Sequence, residues 1–273
     1  MIENIARNLI QLKQEFRNIY SGTSHIQEVI PLSKSDSFSI SQNDLDSLHL
    51  FVEKNPIYYN SYQQKINEIE CIVYEGDINK YWLNSISHGS SYQPFSPTWI
   101  LSAYIITLIA KNLNYKEVLD IGSGDGRIAY CAKILGLVSY GIEIDEMLVD
   151  LQKSLCDVTK TDFKPTCADA VKFEYHNLYL QKPVFFIGGL AQMGGDVLAT
   201  SIIENLDSEL KQETCIVFAG SYSEKYSFRD ISEAGWGTLI AENGLEVIES
   251  VSLPTVWSFN QTVDTSYIFT EFT

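Results

Sequence analysis

The chain has 273 residues, of which 45% are hydrophobic and 20% charged, and a net charge of −16. That length and apolar content allow one large domain or a domain with an extension, each with a sizeable core. The acidity disfavours nucleic acid and anionic lipid as partners, because such a surface repels phosphate.

The acidity is greatest from residue 183 onward, where Lys211, Lys225 and Arg229 are the only lysines and arginines. Cysteines at 71, 131, 156, 167 and 215 form no C-x-x-C pair, and several lie in apolar runs. They predict buried free thiols in a reducing compartment, with neither a disulfide framework nor a zinc site. The first residues, MIENIARNLIQ, lack the apolar centre of a secretory signal. The longest apolar run, 99–110, is broken by Ser102 and Thr107 and is too short to span a bilayer. The expectation is a cytoplasmic protein without a membrane segment.

In chain order, Ile2, Ile5, Leu9, Leu12, Phe16 and Ile19 recur in alternating steps of three and four, which predicts a helix over 2–20. Its seam either packs on its own domain or forms a homodimer contact. Residues 21–40 are polar and read as loop, with at most a short strand around Val29 and Ile30. Ser41 and Asp44 fit an N-cap and its third helical residue, and the following helix stops at Asn55-Pro56. Tyr58, Tyr62, Ile66 and Ile69 share one face of a helix over 57–72, and 78–86 reads as a short helix. Residues 1–90 are therefore predicted to be a mostly helical extension. His25, His49 and His88 have no ligand-like spacing. Tyr92, Pro94 and Pro97-Thr98 form a stiff lead-in to a helix over 99–112.

Residues 116–144, KEVLDIGSGDGRIAYCAKILGLVSYGIEI, organise the remainder. Val118 to Ile121 is a short strand, Gly122-Ser123-Gly124-Asp125-Gly126 a turn, and a helix then leads to a second strand ending on Glu143. This is the parallel βαβ unit of a nucleotide-binding sheet. A dinucleotide fingerprint spaces its glycines G-x-G-x-x-G to seat a pyrophosphate. Here the spacing is G-x-G-x-G, and Asp120 and Asp125 would repel a diphosphate. The two acids suit a ligand with a cationic end. Glu143 lies where an acid on the next strand tip accepts hydrogen bonds from a ribose. A nucleoside with a cationic tail and no phosphate is S-adenosyl-L-methionine.

VLDIGSGDGR followed by GIEID resembles motifs I and II of the class I, seven-β-strand methyltransferases. The lead-in at Tyr92 to Thr98 before D-x-GSGDGR resembles a narrower group, the archaeal and disruptor-of-silencing-type protein-lysine methyltransferases. The resemblance implies an α/β, Rossmann-like doubly wound sheet of seven strands over 91–273, with residues 1–90 as the extension. It implies that Tyr92 and Thr98 cap the methionine end of the cofactor and that Asp120 faces its cation. Gly122, Ser123 and Gly124 would allow close backbone approach, with Glu143 and Ile144 at the ribose. Asp169 and Ala170, after a third strand, match the adenine position. Gly188 opens the loop after the fourth strand. That loop, Gly188-Gly189-Leu190-Ala191-Gln192-Met193-Gly194-Gly195, lacks the Asn/Asp-Pro-Pro-aromatic motif of nucleic-acid amino methyltransferases.

Gln192 is the polar side chain there that could orient an acceptor. Tyr222, Tyr226 and Phe228 follow the fifth strand and could line an alkylammonium channel, while Pro254, Trp257 and Phe259 could form a substrate mouth. The expected activity is in-line methyl transfer to a small-molecule or protein substrate, a lysine amine among them. A small-molecule N- or O-methyltransferase and a non-catalytic, methyltransferase-like partner protein are the alternatives.

Overall fold

A computed structural model of the chain describes residues 2–35, 37–86, 94–222, 235–255 and 264–273. Helix α1 (Ile2–Ile19) opens the chain. It is followed by strand β1 (Ile26–Pro31), helix α2 (Gln42–Lys54) and the strands β2 (Tyr58–Ile66) and β3 (Ile69–Gly76). The three strands form an antiparallel sheet in the order β1-β3-β2. Short helix α3 (Asn79–Ser85) and long helix α4 (Ile100–Asn112) lead into the second sheet.

The expected helix over 57–72 is instead the β2–β3 hairpin. Its turn is Asn67-Glu68, with φ of 42° and 68°. Two successive positive φ values give a tight hairpin turn whose twist matches that of the strands. The apolar spacing at 58, 62, 66 and 69 satisfies a helix and a half-exposed strand alike, so periodicity could not separate them. The segment 2–86 is thus a mixed α/β unit, not a mostly helical one. The cap at Ser41 is as expected: its Oγ accepts from the Asp44 N–H at 3.1 Å.

The larger sheet has seven strands: β4 (Glu117–Ile121), β5 (Val138–Glu143), β6 (Pro165–Cys167), β7 (Pro183–Ile187), β8 (Cys215–Ala219), β9 (Leu245–Leu253) and β10 (Thr265–Phe272). Their order is β6-β5-β4-β7-β8-β10-β9, with β4 to β8 parallel and β10 antiparallel to both its neighbours. Helices α5 (Arg127–Ile134), α6 (Glu146–Thr159), α7 (Gly195–Asn205), α8 (Ser208–Glu213) and α9 (Gly237–Glu242) connect the strands. This is the Rossmann-like, doubly wound α/β class expected. Because both faces are covered, the central strands are apolar on both sides. Val118, Val184 and Phe186 face one core with α4, α5 and α6, whereas Leu119, Ile121, Phe185 and Ile187 face the other with α7 and α9.

The first of these cores also contains Ile5, Leu9, Leu12 and Phe16 of α1 together with β1, α2 and β3. Ile5, Leu9, Leu12 and Phe16 of the α1 seam are therefore packed inside the chain, whereas Ile19 is exposed. Leu9→Ala should cost about 2–5 kcal/mol, the penalty for a large buried side chain. Urea unfolding would read it. A loss below about 0.5 kcal/mol, the scale of surface substitutions, would mean that α1 is not part of the core.

Candidate cofactor site

Strand order reverses between β4 and β7, and in doubly wound sheets ligands bind outside the carboxyl ends of the strands at such a point. The register is level there: Ile121 stands beside Ile142 and Ile187. Gly122, Glu143 and Gly188 therefore follow at one height on three adjacent strands. A cavity opens above them. Its walls include Asp120 to Asp125 and Arg127 from the glycine turn, Glu143 to Asp145 after β5, and Gly188 with Gly189 after β7. The lead-in Pro94 to Thr98 forms the facing wall, and Met193 to Gly195 with Leu198 close one side.

The three glycines of the turn serve different ends. All have φ between 56° and 81°, a region costly for other residues. A Cβ on Gly122 would meet nothing within 4 Å, so its backbone is open to a ligand. A Cβ on Gly124 would strike the Phe95 ring and one on Gly126 the Phe163 ring. Those two glycines make room for the protein's own packing. Gln152 of α6 supports the turn from behind, donating to Ser123 Oγ and to the Gly124 carbonyl, both at 2.9 Å.

The two acids of the turn also differ. Asp125 does not offer its charge to the cavity as expected. Arg127 grips it with two parallel bonds, Nε to Oδ1 at 2.9 Å and Nη2 to Oδ2 at 2.6 Å, and Asn55 donates to Oδ2 at 2.8 Å. Asp120 is the opposite case. It is buried, and it accepts from the Ala129 N–H at 3.4 Å. Burial, with smaller contributions from repulsion by Asp125 and Glu143, outweighs the help of that N–H and raises its pKa to about 8. A cation placed beside it would favour the ionised form. Glu143 is also buried, and burial raises its pKa, although it accepts from the N–H groups of Gly124 (2.8 Å), Ile144 (2.8 Å) and Asp145 (3.0 Å). Each carboxylate oxygen has two lone-pair positions, so one position on Oε2 remains for a ribose hydroxyl.

Thr98, Asp120, Gly122, Ser123, Gly124, Glu143, Ile144 and Gly188 are thus brought together on one cavity. Asp169 and Ala170 do not line it. They follow β6, which abuts Glu143 through Ala168 N–H to Glu143 C=O at 2.9 Å. The Asp169 carboxylate accepts from the Val171 N–H at 3.0 Å and pairs with Lys172 at 3.0 Å. Tyr222 follows β8, half exposed and off the cavity lining. Gln192 lies in the single 3-10 turn Ala191–Met193; its side chain is outside the described part of the structure, as are Tyr92, Tyr226, Phe228, Trp257 and Phe259. Sequence reasoning missed Phe95, whose ring covers Gly124, and Arg127; the Pro-Phe-Ser-Pro run and the arginine ending the glycine motif were the available signals.

Of the cysteines, 71, 131 and 215 are buried as expected, whereas Cys167 is exposed. Among the described residues, no cluster could hold a metal ion and no helix is long and apolar enough to cross a membrane.

No protein-family model and no curated protein matches the chain. Solved structures similar to it include an S-adenosylmethionine-dependent methyltransferase from Clostridium acetobutylicum (9% identity, 63% of this chain and 91% of that one, TM-score 0.45). Another is magnesium protoporphyrin IX methyltransferase from Synechocystis with S-adenosylhomocysteine bound (10% identity, 70% and 96% covered, TM-score 0.43).

The raised acids make stability depend on pH. Between about pH 4 and 8 Asp120 is ionised in the unfolded chain and protonated in the folded one. The folded state then holds more protons, so stability falls as pH rises through this window and levels off above about 8. Asp120→Asn removes this contribution. Urea midpoints from about pH 5 to 8 should fall less steeply for the variant; parallel profiles would contradict the protonated Asp120.

Proposed function

We propose that the chain is an S-adenosyl-L-methionine-dependent methyltransferase. The observation that carries the reading is the pairing of Asp120, a buried acid with one weak partner, with Glu143 across an open Gly122. One favours a cation and the other a hydroxyl donor, at the switch point of a doubly wound sheet. The residues present fit the cofactor. Glu143 would accept from a ribose hydroxyl, Asp120 would face the sulfonium and ammonium end, and Thr98 and Phe95 would cover that end from the lead-in. Asp169 would reach the adenine amino group after giving up Lys172.

When bound, S-adenosyl-L-methionine supplies an activated methyl group and its own leaving group. The chain's part is alignment and exclusion of water. Pro94, Phe95, Pro97, Met193 and Leu198 give the cavity an apolar wall beside the polar glycine turn. That wall favours a small acceptor with an apolar body. A protein lysine is the second reading; the same wall would lower its pKa by desolvation and expose the free amine. It rests on the resemblance of the Tyr92–Thr98 lead-in. A chain that holds the cofactor as a partner subunit is the non-catalytic alternative.

Calorimetry tests the cofactor binding that all three readings share. Binding of S-adenosyl-L-methionine should strengthen as pH rises toward about 8, because Asp120 must release its proton. Glu143→Ala should weaken it by about 1–3 kcal/mol. No binding to the parent chain would remove the enzyme readings, and an unchanged affinity in the variant would misplace the ribose. Labelled-methyl transfer to an apolar metabolite panel and to peptide arrays then sorts the acceptors.

A further inference from the structure

Arg127 opens α5 directly after the glycine turn, and its guanidinium is almost wholly buried. All five of its N–H donors are used. Two go to Asp125, as described. Nη1 donates to Glu28 Oε1 at 2.5 Å and to the Thr98 carbonyl, and Nη2 donates to the Tyr58 hydroxyl at 3.2 Å. Glu28 is itself fully buried in β1. Its other oxygen accepts from the Ile100 N–H at 3.0 Å, capping α4 from outside that helix, while Tyr58 donates to Oε1 at 3.0 Å. Asn55 completes the cluster by holding Asp125 and by accepting from the Ile57 N–H at 3.1 Å.

The cluster joins two walls of the cavity. Asp125 belongs to the glycine turn, and Thr98 and Ile100 belong to the lead-in and the start of α4. Arg127 bridges them, and Glu28, Tyr58 and Asn55 of the amino-terminal unit hold Arg127 and Asp125 in place. A buried charge that loses one partner is strongly unfavourable, so the cluster has one low-energy arrangement. A planar fork with every donor used fixes direction as well as distance.

From this geometry we infer that Glu28, Asn55 and Arg127 are positioning residues of the cofactor site. The amino-terminal sheet, far from being an appendage, sets the gap between lead-in and glycine turn in which the cofactor sits. The inference rests on the proposed cofactor reading for its consequence, although the clamp itself is a property of the free chain.

Glu28→Gln places an amide N–H against the guanidinium or, with the amide flipped, against the Ile100 N–H, and Arg127→Lys keeps the charge but loses the fork. Val73→Ala, a buried β3 site outside the cluster, is the control for general loss of stability. Two readouts are needed: the affinity for S-adenosylhomocysteine by calorimetry, and amide hydrogen exchange over 94–100 and 122–128 without ligand. Glu28→Gln and Arg127→Lys should each weaken binding about tenfold or more and speed exchange in both segments together. Val73→Ala should lower the melting temperature while leaving affinity within about twofold. Equal weakening by Val73→Ala, or an unchanged affinity in Glu28→Gln, overturns the inference. If the parent chain binds no cofactor, the methyltransferase reading fails alone. Exchange then still decides the clamp, which is refuted if either segment is unperturbed in Glu28→Gln.

Discussion

The buried guanidinium of Arg127 is the constraint on which the rest of the site depends. It lies among Asp125, Glu28, Tyr58 and the Thr98 carbonyl, out of contact with water. Desolvation raises the Glu28 pKa to about 7 against the pull of Arg127. Such a cluster is weak as a source of net stability, because taking charges out of water offsets most of their attraction. Its effect is geometric. It ties β1, the α2–β2 junction, the lead-in and the glycine turn into one arrangement and thereby shapes a cavity none of them forms alone.

Division of labour between the two acids of the turn follows from that cluster. Asp125 is neutralised by the bidentate guanidinium and serves the protein. Asp120, in β4 two residues before Gly122, has one long bond and serves the cavity. Two acids that look alike in the sequence thus have opposite environments, and environment fixes which one is available to a cation.

The central sheet was legible because strands buried on both faces read as short apolar runs, as at Val118–Ile121 and Val184–Ile187, and because the glycines and Glu143 mark their carboxyl ends. The β2–β3 hairpin was not legible. Its apolar residues repeat at intervals that a helix also satisfies, its exposed strand is rich in Asn, Gln and Ser, and its turn is Asn-Glu in place of a glycine pair. The Arg127–Glu28 contact spans 99 residues. No local pattern encodes such a pairing; a glutamate beside Gln27 in the fully buried strand Ile26–Pro31 was the one trace of it. The adenine contact expected of Asp169 stands on motif position, since the free chain engages that carboxylate with Lys172.

The central claim is that the cavity above Gly122 receives a cationic nucleoside between Asp120 and Glu143. A crystal structure with S-adenosylhomocysteine tests it most directly. The account predicts a ribose hydroxyl within hydrogen-bonding distance of Glu143, the homocysteine end between Gly122 and Thr98, and the Asp125–Arg127–Glu28 cluster unchanged. A ligand bound elsewhere, or one seated on Asp125 with Arg127 displaced, would contradict it.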